Sequence, residues 1–223
     1  MNERVCSRWL PIGLSVAAGV LLLGALTVPV WYEIDRSTQS QPRASGYVGT
    51  TLEGPAPDFR LVDQTGTPRS LSDFRGRVVV LSLLDPDCTD ICPIYAAHFR
   101  LASQALGEDA AKVAFLAFNA NDERTSIEDV MAATRKWGVD EIPAWHFLTG
   151  SAETLRAVWK AYGIAGSSLP KPGKPDEKQH SPAIFIIDQA GERRWYLSTV
   201  FEGAPAPSAL IVMHVKALLA ERG

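Results

Sequence analysis

Cys88 and Cys92 lie in DPDCTDICPI, residues Asp85 to Ile94, with three residues between them. Thioredoxin-type redox pairs have two residues between their cysteines, so the wider spacing leaves three chemistries open: electron exchange, a structural disulfide, or a shared metal ion. The run RVVVLSLL (Arg77 to Leu84) precedes the pair and predicts a strand buried on both faces, and Pro93 suits the first turn of a helix that follows. Strand ends leading into helices are where α/β sheets place ligands and chemistry. Exposed helix N-terminal amides stabilise negative charge, so a thiolate at Cys92, at the predicted helix start, is expected to form more readily than one in a random loop. If helical order begins near Cys88, the i, i+4 spacing sets both sulfurs on one face.

Two thiolates form a soft donor pair that suits monovalent copper or zinc, with imidazole as the usual companion. The histidines sort by context. His98 lies about one and a half turns beyond Cys92 on the same predicted helix and is expected to point away from the pair. His146, within the strand-like WHFLTG, and His214, in a predicted C-terminal helix, fit packing roles. His180 differs, because it joins a long loop to a core strand. Cys6 has no nearby partner and is given no function.

The elements that must position these residues follow from periodicity and turn chemistry. FRLVDQTGTPRSL predicts a hairpin turning at Asp63 to Gly66, and the helix containing Pro93 is expected to run to Leu106 and stop at Gly107. Val113 to Phe118 predicts a strand, and Thr125 with Glu128 a capping box for a helix ending at Gly138. A short strand at Trp145 to Leu148 precedes a helix from Ala152 to Tyr162, where Leu155, Val158, Trp159 and Tyr162 recur at the spacing of one buried face. Gly163 to Gln179 is expected to be a loop of seventeen residues, with three prolines and three glycines. AIFIID, a turn at Gln189 to Gly191, the returning strand RRWYLST and a helix from Ser208 to Leu219 complete an α/β domain with helices on both sides of a sheet.

The chain has 223 residues, 46% of them hydrophobic, and a net charge of −3, which fits one globular domain with an added segment. No long basic run is present, so no nucleic-acid partner is implied. Leu10 to Val30 carries twenty-one apolar or small residues without a charge, enough to cross a bilayer as a helix. Arg4 and Arg8 precede it, and Glu33 and Asp35 follow, which orients the N-terminus to the cytoplasm. The expected organisation is a cytoplasmic segment 1–9, an uncleaved single-pass anchor 10–31, a polar linker 32–57, and a domain 58–223 on the periplasmic or extracytoplasmic side of the cell membrane. An idle close cysteine pair in that oxidising compartment would tend to close into a disulfide, which makes the pair worth interpreting.

Several stretches together resemble the Sco/SenC family: PAPDFRLVDQTGTPRSLSDFRGRVVVL, CTDICP as Cys-x-x-x-Cys-Pro, FNANDER, FLTGSAETLRAVWKAYGI and HSPAIFIIDQAG. The resemblance implies a thioredoxin-like fold with a central mixed sheet flanked by helices, behind one N-terminal transmembrane helix. It implies that Cys88, Cys92 and His180 match the family's copper ligands. It also implies delivery of copper to, or thiol reduction at, the dinuclear copper site of cytochrome c oxidase subunit II, with a thiol reductant or a copper donor protein as a further partner. Thr89 stands where the family commonly has Pro, and Asn121 with Asp122 where an Asp-Pro pair is usual. Pro182 occupies the position where oxidoreductases of this fold carry a cis-proline.

Two thiolates and an imidazole make a three-coordinate site that suits copper, whereas zinc normally takes a fourth ligand. The competing reading is a thiol-disulfide oxidoreductase in which Cys88 attacks and Cys92 resolves; a peroxiredoxin-like peroxidase leaves the wide spacing and His180 unexplained. A static disulfide is the third, although a bridge closing so short a loop adds little stability. A copper site does not require enzymatic turnover.

Overall fold

The computed structural model describes residues 48–164, 170–171, 174–178, 183–198 and 204–221. The strands are β1 (Thr50–Thr51), β2 (Arg60–Val62), β3 (Pro68–Ser70), β4 (Val78–Leu84), β5 (Val113–Asn119), β6 (Trp145–Leu148), β7 (Pro170–Lys171), β8 (Lys174–Lys178), β9 (Ile184–Ile187) and β10 (Arg193–Leu197). The helices are α1 (Ile91–Leu106), α2 (Ile127–Trp137), α3 (Ala152–Ala161) and α4 (Pro207–Ala220).

The continuous apolar run of β4 makes it a central strand. It pairs in parallel with β5 and antiparallel with β9, inside a mixed sheet ordered β1-β10-β9-β4-β5-β6. Alternation along β4 splits the interior in two. Val78, Val80 and Leu84 face a core with Tyr95 and Phe99 of α1, Val130 and Trp137 of α2, and Ile211 and Val215 of α4. Val79, Leu81 and Leu83 face the other side, with Leu61 of β2, Phe74, and Leu155 and Trp159 of α3. The register Val78↔Val113 through Leu84↔Asn119 brings the C-terminal ends of β4 and β5 level, and the Ala120 amide donates to the Leu84 carbonyl at 2.9 Å. The loops after both strands therefore emerge side by side.

Most predicted elements fall where expected, and three differ. The sheet begins upstream of Asp58: β1 pairs with β10, and the Leu52 and Ala56 amides donate to Arg194 and Gly191 carbonyls, so residues after Val48 run along the sheet edge rather than as a tether. The cap of α2 is Ser126, which accepts from the Asp129 amide at 3.1 Å and donates to its carboxylate at 2.7 Å. Thr125 is one residue too early, and its carbonyl instead accepts from the Thr149 hydroxyl. The expected loop 163–179 contains two short strands, β7 and β8, which pair antiparallel. The predicted anchor at 10–31 lies outside the described residues; among those described, no helix is long and apolar enough to cross a membrane.

Asp63 ties the β2–β3 hairpin to the sheet. Its buried carboxylate accepts from the Thr65 amide and hydroxyl, the Thr67 amide, Arg69 Nε at 2.9 Å and His146 Nδ1 of β6 at 3.1 Å. Burial alone would raise its pKa, but the bonds from Thr65, Arg69 and His146 more than offset that and hold it well below the usual carboxylate range. Because the folded value is depressed, this stability is present above the unfolded carboxylate value of about 4 and is lost as pH falls below it. Asp63→Asn is expected to cost about 2–3 kcal/mol at neutral pH, the scale of hydrogen bonds to a charged group. Urea unfolding measures the loss, and the gap to wild type should narrow in acid.

Candidate metal and thiol site

The loop Asp85 to Asp90 carries the chain from β4 into α1, and its geometry is set mainly by backbone bonds. The Cys88 amide donates to the Asp85 carbonyl at 3.0 Å, closing a turn, and the Asp87 amide donates to Asp85 Oδ1 at 2.9 Å. Asp90 then caps α1, its carboxylate accepting from the Ile91 amide at 2.7 Å. Tyr95, Phe99, Ala102 and Leu106 give α1 a buried face, which fixes its first turn against the sheet. Cys88 consequently lies outside the helix and half-exposed, whereas Cys92 lies in its first turn and is buried.

Both cysteines are free thiols. The Cys92 amide, one of the unpaired donors of the helix start, points at Cys88 Sγ from 3.3 Å. The Asp85 amide donates to Cys92 Sγ at 3.4 Å, and Cys88 Sγ lies 2.9 Å from Asp90 Oδ1. The hydrogen bond from the Cys92 thiol is the largest influence on Cys88 and, with the Cys92 amide, brings its pKa down to about 7 against burial and the Asp90 carboxylate, which raise it. The same thiol contact, followed by burial, pushes Cys92 far above the ordinary thiol range. The thiolate expected to be favoured at Cys92 is therefore disfavoured there, and Cys88 is the more acidic of the two. The helix start does stabilise a thiolate, but its amide is aimed at the cysteine four residues earlier.

Residues from the neighbouring β5 loop hold the site in place, and sequence reasoning missed them. Asn121 Nδ2 donates to buried Asp85 Oδ1 at 3.0 Å, while Asn121 Oδ1 accepts from the Glu123 and Arg124 amides. Asn119 in turn orients Asn121 by accepting its amide at 2.9 Å. Arg124 reaches Asp87 at 3.2 Å and Asp129 at 3.0 Å, joining the cysteine loop to the start of α2. Asp122 pairs with Arg156 of α3 at 2.7 Å. The signal that could have found this arrangement is the DPD flank together with Asn121: an amide facing a carboxylate can donate, and a second carboxylate cannot.

The histidines divide as the sequence suggests. His98 Nδ1 lies 3.3 Å from the Ser208 hydroxyl of α4, His146 bonds Asp63, and His214 stacks on Trp195 at 4.2 Å, so none of these three is brought to the cysteines. His180 and Pro182 lie outside the described residues. Among the described residues, no group of three Cys, His, Asp or Glu side chains is arranged to hold a metal. The described part thus offers two sulfurs, and a third donor would have to come from beyond it.

The SCO1/SenC family model matches residues 51–211. The mitochondrial SCO2 homolog of Bos taurus is 32% identical over 176 residues, covering 76% of this chain and 62% of that protein, so the chain spans less than two thirds of its length. Among solved structures, Arabidopsis thaliana ScoI with copper bound matches with a TM-score of 0.63 at 16% identity, over 75% of this chain and 99% of that one. BsSco, a Sco-family cytochrome c oxidase assembly protein with an identified disulfide switch, matches with a TM-score of 0.57 at 20% identity, over 77% and 97%. These likenesses show the shared fold, a mixed sheet flanked by helices.

Two outcomes follow from the geometry. Alkylation of the reduced native chain by iodoacetamide should modify Cys88 with a rate that rises with pH through about 7 and then levels, while Cys92 stays unmodified; peptide mass spectrometry assigns the sites. A faster Cys92 would contradict the assignment. Asn121→Asp should destabilise the fold by about 2–4 kcal/mol at neutral pH, since it removes a donor to buried Asp85 and adds a like charge. The loss should shrink in acid as the carboxyl pair takes up a proton.

Proposed function

The chain belongs to the SCO1/SenC family, and from that premise we propose that it is a copper-handling protein whose cargo is held by Cys88, Cys92 and His180. The observation that carries this reading is the thiol pair itself: a half-exposed Cys88 whose Sγ accepts from the amide of buried Cys92 at the start of α1, 3.3 Å away. The donor set fits the cargo. Sulfur is the soft ligand that copper in its monovalent state favours, and Cys88 is ready to bind at neutral pH without first losing much proton affinity. Cys92 has to give up a tightly held proton, so ligation there couples loading to proton release. The copper-bound Arabidopsis relative supports the choice of ion. By resemblance the recipient is the dinuclear copper site of cytochrome c oxidase subunit II, consistent with the assembly role described for BsSco. In this proposal residues 10–31 anchor the chain in the membrane, residues before them face the cytoplasm, residues after about 31 form a linker, and the domain works on the other side.

The same acidity split favours a second reading, thiol-disulfide exchange. The Cys88 thiolate would attack a substrate disulfide and expel one sulfur as thiolate. Cys92 would then displace the other sulfur, leaving a Cys88–Cys92 disulfide and two reduced substrate thiols. The disulfide switch in BsSco supports that reading, and the two roles are chemically compatible.

Anaerobic titration of the full chain in detergent with monovalent copper tests the assignment. Wild type is expected to take one ion per chain, the Cys88→Ser/Cys92→Ser variant none, and His180→Ala to bind at least about tenfold more weakly, equivalent to about 1.4 kcal/mol. Unchanged affinity in His180→Ala would remove that residue from the ligand set. Turnover on a protein disulfide by copper-free wild type, lost in Cys88→Ser, would establish the second role.

A further inference from the structure

The outward faces of α1 and α4 differ from those of the other helices. In α2 the exposed positions include Glu128, Arg135 and Lys136, and in α3 Glu153, Arg156 and Lys160, the usual charged exterior. In α1 they are Ile94, Ala97, Leu101, Gln104 and Ala105, and in α4 Ala209, Met213, Lys216, Ala217 and Ala220. Neither α1 nor α4 contains an Asp or a Glu, in a chain with 25 acidic residues; their cations are Arg100 and Lys216. The exposed large hydrophobic residues among those described are Ile94 at 51%, Leu101 at 52%, Met213 at 43% and Val48 at 49%. The first three lie on these two helices, which pack side by side through His98 and Ser208. Val48 is held to the same layer, because His214 Nε2 of α4 donates to its carbonyl at 2.6 Å.

We propose that the α1–α4 face, with Val48, rests on the surface of a lipid bilayer. Two observations select that occupant. The face is apolar, with Gln104 and Lys216 as the polar side chains at its exposed positions, which suits the boundary of acyl chains and headgroups. The described chain also starts on this face at Val48, and upstream of it lies the twenty-one-residue apolar run Leu10 to Val30. Residues 31–47 could reach roughly 55 Å at full extension, about twice the length of α1, so the linker allows the face to lie flat. Since α1 starts at the thiol pair, docking holds Cys88 close to headgroup level, where a membrane-embedded recipient would present its site.

The inference rests on the anchored reading above, and the experiment separates the two. The full chain is reconstituted in vesicles of phosphatidylethanolamine with a minor share of phosphatidylglycerol, with a benzophenone amino acid replacing Leu101, Met213 or, as control, Lys160 on α3. The vesicles are sedimented, irradiated and analysed by mass spectrometry. Lipid adducts several-fold more abundant at 101 and 213 than at 160 are the expected result. Adducts no more abundant than at 160, or crosslinks joining two chains at 101 and 213, overturn docking while leaving the anchor intact. A chain that fails to sediment with the vesicles overturns the anchored reading and the docking with it.

Discussion

A thiolate at Cys88 is favoured by the Cys92 thiol and then by the Cys92 amide, both in the first turn of α1, and the placing of Cys88 beside that turn depends on a buried carboxylate. Asp85 sits where β4 ends, almost without solvent, and receives hydrogen bonds from the Asp87 amide and the Asn121 side chain. A buried carboxylate left without donors would cost several kcal/mol, so the loop folds around it. With Asp85 fixed, its backbone closes the turn that carries Cys88 back toward the Cys92 amide. The parallel register of β4 and β5 then matters for more than packing. It brings Asn121 level with Asp85, and a slip in pairing would move the donor away from its acceptor.

Much of this fold was legible in the sequence where burial dictates pattern. The runs at β4 and β5 are apolar on both faces and could hardly be anything but central strands, and the stripe Leu155, Val158, Trp159, Tyr162 matched the buried side of α3 with its cap. Less legible were elements held by pairing rather than by apolar burial. Strand β1 is two exposed threonines, which carry no hydrophobic signal and are ordered by β10. Strands β7 and β8 are built from Lys, Pro, Asp and Glu and carry no hydrophobic signal either. The cap of α2 was displaced by one residue because Thr125 is already engaged by Thr149, a contact between segments far apart in the chain.

The site divided along a similar line. Residue types and spacing singled out Cys88 and Cys92, while His98, His146 and His214 make their contacts with Ser208, Asp63 and Trp195. Whether a helix amide favours its own cysteine or one outside the helix depends on where the first turn begins, and it begins at Ile91 rather than at Cys88. Asn121 was visible as a departure from the family pattern but had no meaning until Asp85 was seen opposite it. The two positions make sense together: the family's usual acid at 121 would confront the acid at 85, and the amide turns that repulsion into a hydrogen bond.

The split in acidity also bears on how one loop could serve both metal transfer and thiol chemistry. Two sulfurs that ionised equally near neutral pH would repel each other, and the reduced pair would lose the hydrogen bond that now joins them. One proton shared by the pair avoids that repulsion: Cys88 carries the developing charge and Cys92 donates to it. In the proposed function a cation bound at Cys88 would take the place of that proton, and a disulfide at Cys88 would meet a nucleophile. In each case Cys92, the less acidic thiol, would ionise second. The first step is the same for both partners, so the choice between them passes to what supplies the third donor or accepts the expelled sulfur.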